Sequence, residues 1–184
     1  MKKIVLVLLA VVLALPLVAD PGNCPKNGDF GFNIKYPGMI LDSTDAMNSM
    51  FGIGVTFHLS DNIFMRGSCL FNYRDNSDSG ASFFYIGGGV DFFLIIKKIS
   101  GVSFYFGPGI SYLTSNTGDN SGTGSEYLKV QLKLGLQYNL TRHLAIHGEY
   151  GFGLSRERDN DPAGDERILQ IGSFGATAGI VIYL

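Results

Sequence analysis

The sequence predicts an all-β fold: a closed, eight-stranded antiparallel up-and-down barrel whose strands cross a membrane. Three observations carry this. The chain of 184 residues holds only 16% charged residues, against roughly 25% in soluble domains. Apolar and polar residues alternate strictly over long stretches, as in residues 127–140, YLKVQLKLGLQYNL. The same alternation recurs eight times, separated each time by turn-forming residues. Successive side chains of a strand point to opposite faces, so each segment has one apolar and one polar side.

Ahead of the strands, Lys2 and Lys3 precede the apolar residues 4–15, then Pro16 and the small-residue exit Leu17-Val18-Ala19. This is the pattern of a secretory signal peptide, so residues 1–19 are read as leader and 20–184 as barrel. A transmembrane helix is the competing reading, but the run contains Pro16 and falls short of the ~20 apolar residues a span needs. A lipidated Cys24 is a third, disfavoured because Pro21-Gly22-Asn23 is neither apolar nor small enough for a lipoprotein signal. Losing the leader removes Lys2 and Lys3 from the 14 basic residues, leaving 12 against 16 acidic, net −4. No clustered basic face exists, which excludes a nucleic-acid partner. Cys24 precedes the first strand and Cys69 lies mid-strand on an apolar face, so no disulfide is expected.

The apolar parity, strand by strand, is as follows. The first strand offers Phe30, Phe32, Ile34 and Tyr36, the second Phe51, Ile53, Val55, Phe57 and Leu59. The third has Ile63, Met65, Gly67, Cys69, Phe71 and Tyr73, the fourth Phe84, Ile86, Gly88, Val90, Phe92 and Leu94. The fifth has Val102, Phe104, Phe106, Pro108, Ile110 and Tyr112, the sixth Leu128, Val130, Leu132, Leu134, Leu136, Tyr138 and Leu140. The seventh has Leu144, Ile146, Gly148, Tyr150, Phe152 and Leu154, the eighth Phe174, Ala176, Ala178, Ile180, Ile182 and Leu184. None of these positions is charged. The opposite parity is small or polar and carries every strand charge: Lys35, Arg66, Arg74, Asp91, Lys129, Lys133 and Glu149.

Residue size decides which face is inside. A lipocalin-like soluble barrel turns the apolar face inward around a ligand; a membrane barrel turns it toward lipid. An eight-stranded barrel has an interior only just wide enough for side chains. The polar parity holds most glycines and serines, and the apolar parity most phenylalanines and leucines, so the apolar face is predicted to be the outer one. In hydrocarbon every backbone N–H and C=O must be paired within the protein, which for strands demands closure.

Short connections, Ser60-Asp61-Asn62, Lys97-Lys98 and residues 139–143, alternate with longer ones at 41–48, 75–81, 114–125 and 156–167. That is the expected arrangement of short periplasmic turns and longer external loops. Leader, eight alternating strands and a last strand reaching Leu184 together resemble the small bacterial outer-membrane barrels, the OmpA, OmpX and OmpW group, over residues 30–184. The resemblance implies localisation in the outer membrane of a Gram-negative-type envelope, exposure at the cell surface, and partners in outer-membrane lipids and the barrel assembly machinery. In that family the last strand usually ends in an aromatic residue; here Leu184 follows Tyr183. No wall-anchoring domain is expected after the barrel. Pro108 cannot donate to a ladder, so a bulge is expected at Gly107-Pro108-Gly109.

The inward polar residues are the candidate site: a lumen network of Lys35, His58, Arg66, Asp91, Lys129, Lys133, His147 and Glu149. Buried charges require partners. A symmetric turn at Asp78-Ser79 sets Arg66 opposite Asp91, and a turn at Arg142 sets Glu149 opposite Gly135 with Lys133 on the diagonal. A packed polar core is preferred over a gated, porin-like ion path, because the bore is narrow. Any leak would favour anions, since the inward strand charges, Arg74 included, comprise five basic and two acidic residues. His58 and Ser60 are two apart on the inward face, superficially like an outer-membrane lipid deacylase, but at the periplasmic end, where turn chemistry is the plainer account. His147 near Glu149 is read as a hydrogen-bonded core group. The acidic loop at 156–167 matches no calcium-binding spacing and Pro162 interrupts it, so neither metal nor cofactor is expected. Acids outnumber bases in the long loops, which would let divalent ions bridge the rim to anionic headgroups. Tyr36, Tyr73 and Tyr112 are placed in an aromatic girdle.

The expected role is non-enzymatic: a monomeric structural or surface-interaction barrel whose loops meet an extracellular ligand. The alternative is an OmpW-like conduit for small hydrophobic molecules. A lipid-acting enzyme and a soluble ligand-binding barrel complete the set.

Overall fold

The computed structural model describes residues 24–37, 51–76, 81–117, 124–159 and 167–184. The leader, the loop at 41–48 and most of the acidic loop lie outside these residues. The strands are β1 (Phe30–Pro37), β2 (Phe51–Ser60), β3 (Ile63–Asn76), β4 (Ala81–Ile99), β5 (Val102–Thr117), β6 (Ser125–Asn139), β7 (Leu144–Asp159) and β8 (Arg167–Tyr183). Each pairs with its neighbours in sequence, and β1 pairs with β8 from Gly31↔Tyr183 to Pro37↔Thr177, closing the barrel. The Leu184 amide donates to the Phe30 carbonyl at 3.0 Å, sealing the seam at the end that carries the short turns.

The apolar parity faces out. Phe32, Ile34, Ile53, Phe92, Leu134, Phe152 and Ile182 are exposed, while Thr56, Arg66, Asp91, Ser103, Lys129 and Glu149 are buried inside. Val102 and Tyr138 depart from the predicted exposure: they lie directly opposite each other in the β5–β6 ladder and are both buried.

Four sequence expectations need correction. The β4–β5 turn is not at Lys97-Lys98: β4 continues to Ile99, and the two-residue turn is Ser100-Gly101, with φ of 45° and 79°. Two central residues with positive φ fit the type I′ turn whose twist matches a hairpin. No bulge occurs at Gly107-Pro108-Gly109. The β5–β6 ladder runs unbroken through Pro108↔Leu132. On the β4 side the pairing skips from Asp91↔Gly109 to Leu94↔Phe106 without changing register, and the register shift falls lower, between Ile95 and Lys97. Skipping two rungs accommodates a residue that has no N–H to give, and a Cβ at Gly107 would overlap the Phe92 carbonyl, so the strands stay in contact there.

The third correction concerns β8. A register shift between Tyr150 and Phe152, with Gly175 at φ 79°, marks a bulge of the kind that seats a left-handed glycine. Below it Ala176 to Leu184 keep the predicted outward parity; above it Ile171 pairs with the outward Leu154 and Leu169 with Arg156, so the outward parity inverts, on a stretch whose Gln170 and Gly172 are exposed as well. The Phe174 side chain lies outside the described residues, as does that of Tyr73. The fourth is that the strands run past the predicted loop bases: β5 reaches Thr117 and β7 reaches Asp159. Arg156 and Arg158 therefore sit on the outward parity of a strand, and the strand charges are not all on one face.

Candidate functional site

The lumen is layered. At mid-height Lys35 on β1, Arg66 on β3, Asp91 on β4, Lys133 on β6 and Glu149 on β7 converge on one another. Lys35 Nζ reaches Asp91 Oδ2 at 3.1 Å and Glu149 Oε2 at 3.6 Å, and Lys133 Nζ reaches Asp91 Oδ1 at 2.6 Å. The Arg66 guanidinium is paired with Glu149. Arg66 does lie opposite Asp91, and Glu149 opposite Gly135, in the strand register. The side-chain partners nevertheless differ from the expectation: Arg66 crosses the bore to Glu149, and Lys133 turns to Asp91. Pairing across the bore wins because the narrow barrel brings opposite walls within reach of a long side chain. Two carboxylates thus serve three cations.

The network is enclosed by residues the sequence reading left out. Tyr105 on β5 donates from its hydroxyl to Glu149 Oε1 at 2.8 Å, and its ring lies over Gly135, where a Cβ would overlap it. Below, Phe64, Phe93, Ile95 and Tyr105 form a buried apolar cluster. The Phe64 and Phe93 rings stack at 4.8 Å, and the Arg66 guanidinium carbon lies 5.6 and 5.2 Å from their centroids. Cation–π contacts with desolvated rings supply a second set of partners to this buried arginine. Above, Tyr85 and Leu113 form another cluster with Leu70 and Tyr127 against it, and the Tyr127 hydroxyl donates to Glu157 Oε1 at 2.6 Å. The inward parity is therefore not uniformly small or polar. The signal was present in Phe64, Phe93 and Tyr105, large residues at the turn end of the inward register.

The remaining predicted residues spread along the bore. His58 lies near the turn end, stacked on Phe64 at 5.1 Å, with Nε2 3.1 Å from the Tyr183 hydroxyl. Gln137 Nε2 donates to the same hydroxyl at 3.2 Å and to Asn139 Oδ1 at 2.8 Å. Ser60 turns away from His58; its Oγ accepts from the Asn62 amide at 3.3 Å, closing the turn. His147 is buried with Nδ1 3.5 Å from Glu149 Oε1, but neither ring nitrogen makes a hydrogen bond among the described residues, so it is a packed imidazole and not the hydrogen-bonded group expected. Lys129 is buried higher up, opposite Ser111 and Ser155 in register. At the turn-end mouth, residues 24–29 fold against the barrel: the Gly28 amide donates to the His58 carbonyl at 2.8 Å and the Asn27 amide to Asp61 Oδ1 at 3.1 Å. Both cysteines are free, Cys24 at this mouth and Cys69 exposed on the outer wall. Tyr36 and Tyr112 are exposed at the loop ends of their strands.

No curated protein matches the chain. Among solved structures, the N-terminal β-barrel domain of Pseudomonas aeruginosa OprF is similar at a TM-score of 0.51 and 11% identity, covering 87% of this chain and all (100%) of that one. Ail of Yersinia pestis, the attachment invasion locus protein, is similar at a TM-score of 0.44 and 14% identity, covering 86% of this chain and 99% of that one. At 11% identity the likeness to the OprF domain concerns the fold alone, a closed β-barrel. The outer membrane protein beta-barrel domain family matches residues 4–179. With its lipid-facing apolar wall and closed ladder, the chain belongs to that family and resides in the bacterial outer membrane.

Proposed function

We propose that this outer-membrane barrel is a non-enzymatic, non-conducting scaffold that fixes its long loops at the cell surface, for a structural or surface-interaction role. The observation that carries the reading is the filling of the bore: an ion network at mid-height between two clusters of buried rings and aliphatics. An ion crossing this lumen would have to displace paired charges from their partners and then pass stacked rings, with no continuous polar lining among the described residues to replace its hydration. The continuous β5–β6 ladder through Pro108, and the close contact of Gly107 with Phe92 where the β4–β5 pairing omits two rungs without changing register, support a closed wall over a sideways conduit. His58 and Ser60 engage separate partners, which supports a structural use of each.

The experiment is reconstitution of the full chain in planar bilayers and in vesicles. The expected result is no discrete conductance and no accelerated entry of a small apolar solute. Stable single-channel steps would overturn the scaffold reading, and solute flux without conductance would replace it with the conduit.

A further inference from the structure

We infer that Arg156 and Arg158 form a site on the outer wall of the barrel, at its loop end, for the phosphorylated headgroup of a lipid in the outer leaflet. Because β7 continues to Asp159, Leu154, Arg156 and Arg158 alternate onto the same outward face. Leu154 is an exposed member of the apolar skin. Arg156, one rung higher, lies opposite Leu128 on β6 and Leu169 on β8, and Leu128 lies opposite Tyr112 on β5. A cation is thus set into the last apolar row of the wall. Arg158, the next rung, lies opposite Glu126. Same-face rungs are about 7 Å apart along a strand, so the two guanidiniums span the step from acyl chains to headgroups.

Between them the wall is concave: Tyr112, Glu126, Leu128, Arg156 and Arg158 line a cleft of about 200 Å³. Its floor is apolar and its upper wall carries two arginines against one carboxylate. Glu126 faces Arg158 and Tyr112, whereas Arg156 has apolar neighbours on both sides and forms no ion pair among the described residues. The cost of a lipid-facing arginine falls steeply from the midplane to the interface, so this depth is where one can persist. The planar guanidinium fork matches phosphate oxygens, and Leu128 and Leu154 below offer a wall for the attached acyl chain. Long loops lie outward in this class of barrel, which places the cleft in the outer leaflet.

The test uses the full chain in nanodiscs of phosphatidylcholine doped with phosphatidic acid, a lipid with a terminal phosphate, and counts the lipid that stays bound in native mass spectrometry. Wild type is expected to retain phosphatidic acid over phosphatidylcholine. Arg156→Gln and Arg158→Gln should each lower retention about fivefold, the effect of roughly one interfacial charge. Lys97→Gln, at the opposite end, should leave it unchanged, and millimolar inorganic phosphate should not displace the lipid. Folding of each variant is checked by heat-modifiable gel migration. Glu126→Gln supplies an arm independent of the arginine variants: removing the one carboxylate among the described residues that line the cleft should raise retention. Undiminished retention in the double arginine variant, no gain in Glu126→Gln, or full displacement by inorganic phosphate each overturns the proposal.

Discussion

Glu149→Gln tests the lumen network most directly. The substitution keeps the shape and an acceptor oxygen for Tyr105 but removes one of the two carboxylates that hold Arg66, Lys35 and Lys133. The Arg66 and Glu149 side chains are 0% and 2% exposed. An arginine so placed cannot turn to water, and the rings beside it offer only partial compensation. Breaking a buried pair by neutralising one partner costs about 3–5 kcal/mol, and the variant should fall in that range. The assay is urea unfolding of the refolded barrel in lipid vesicles, read by heat-modifiable gel migration. Arg66→Met in the same background should recover at least half of the loss, because no unpaired guanidinium then remains and Lys35 still has Asp91. A single-variant loss below about 1 kcal/mol, the range of solvent-screened surface pairs, would refute the reasoning. So would simple additivity of the two substitutions, because residues sharing one network should show a coupling energy.

Further predictions follow from the same geometry. Gly135→Val forces a branched side chain into the Tyr105 ring, and overpacking of this kind should cost about 1–3 kcal/mol in the same unfolding assay. Leu134→Arg, on the exposed outer wall, should cost about 2–4 kcal/mol if that wall faces the hydrocarbon midplane, while an inert outcome would place the residue in water. In membranes, Cys69 should react with a lipid-soluble maleimide and resist a membrane-impermeant one, whereas Cys24, at the turn-end mouth, should label with either once that face is accessible; labelling counts by mass spectrometry distinguish the two. Phe64→Ala with Phe93→Ala, by removing the stacked pair beneath Arg66, should loosen the turn-end layer and raise background conductance while the mid-height network stays paired.

Most of the fold was legible because a period-2 pattern admits few interpretations once length and charge are added. The parity of β2, β4 and β6 and the registers of β3 with β4 and β6 with β7 follow from alternation plus turn position alone. What was not legible has local causes. The inversion on β8 comes from one extra residue at Gly175, and a single glycine among many in a glycine-rich strand carries no distinguishing mark. The turn at Ser100-Gly101 was displaced from Lys97-Lys98 because charge is a weaker signal than a residue able to adopt positive φ. In the lumen, the residue set could be read from parity, but partner choice could not. A register names cross-strand neighbours on one wall, whereas Arg66 with Glu149 and Lys35 with Asp91 are pairs across the bore, set by barrel diameter and side-chain length.

The arrangement also explains why charges occupy the centre of a protein whose surroundings are hydrocarbon. Lipid offers the outer wall no hydrophobic drive toward any one register, since an apolar strand slipped by two residues would still face acyl chains. Specification must come from the inner face. A slip of Arg66 by two positions would take its arginine from Glu149, leaving Lys35 to be shared between two carboxylates, and put the guanidinium where Phe64 now stacks on Phe93. The desolvation that makes a buried ion pair a poor source of net stability makes its misplacement costly, so the network discriminates between registers more than it stabilises the correct one. If that is its role, apolar replacement of all five members should leave a barrel of comparable unfolding free energy but with heterogeneous strand pairing, visible as multiple amide resonances for β3 and β7; a single sharp set would mean that the aromatic layers alone fix the register.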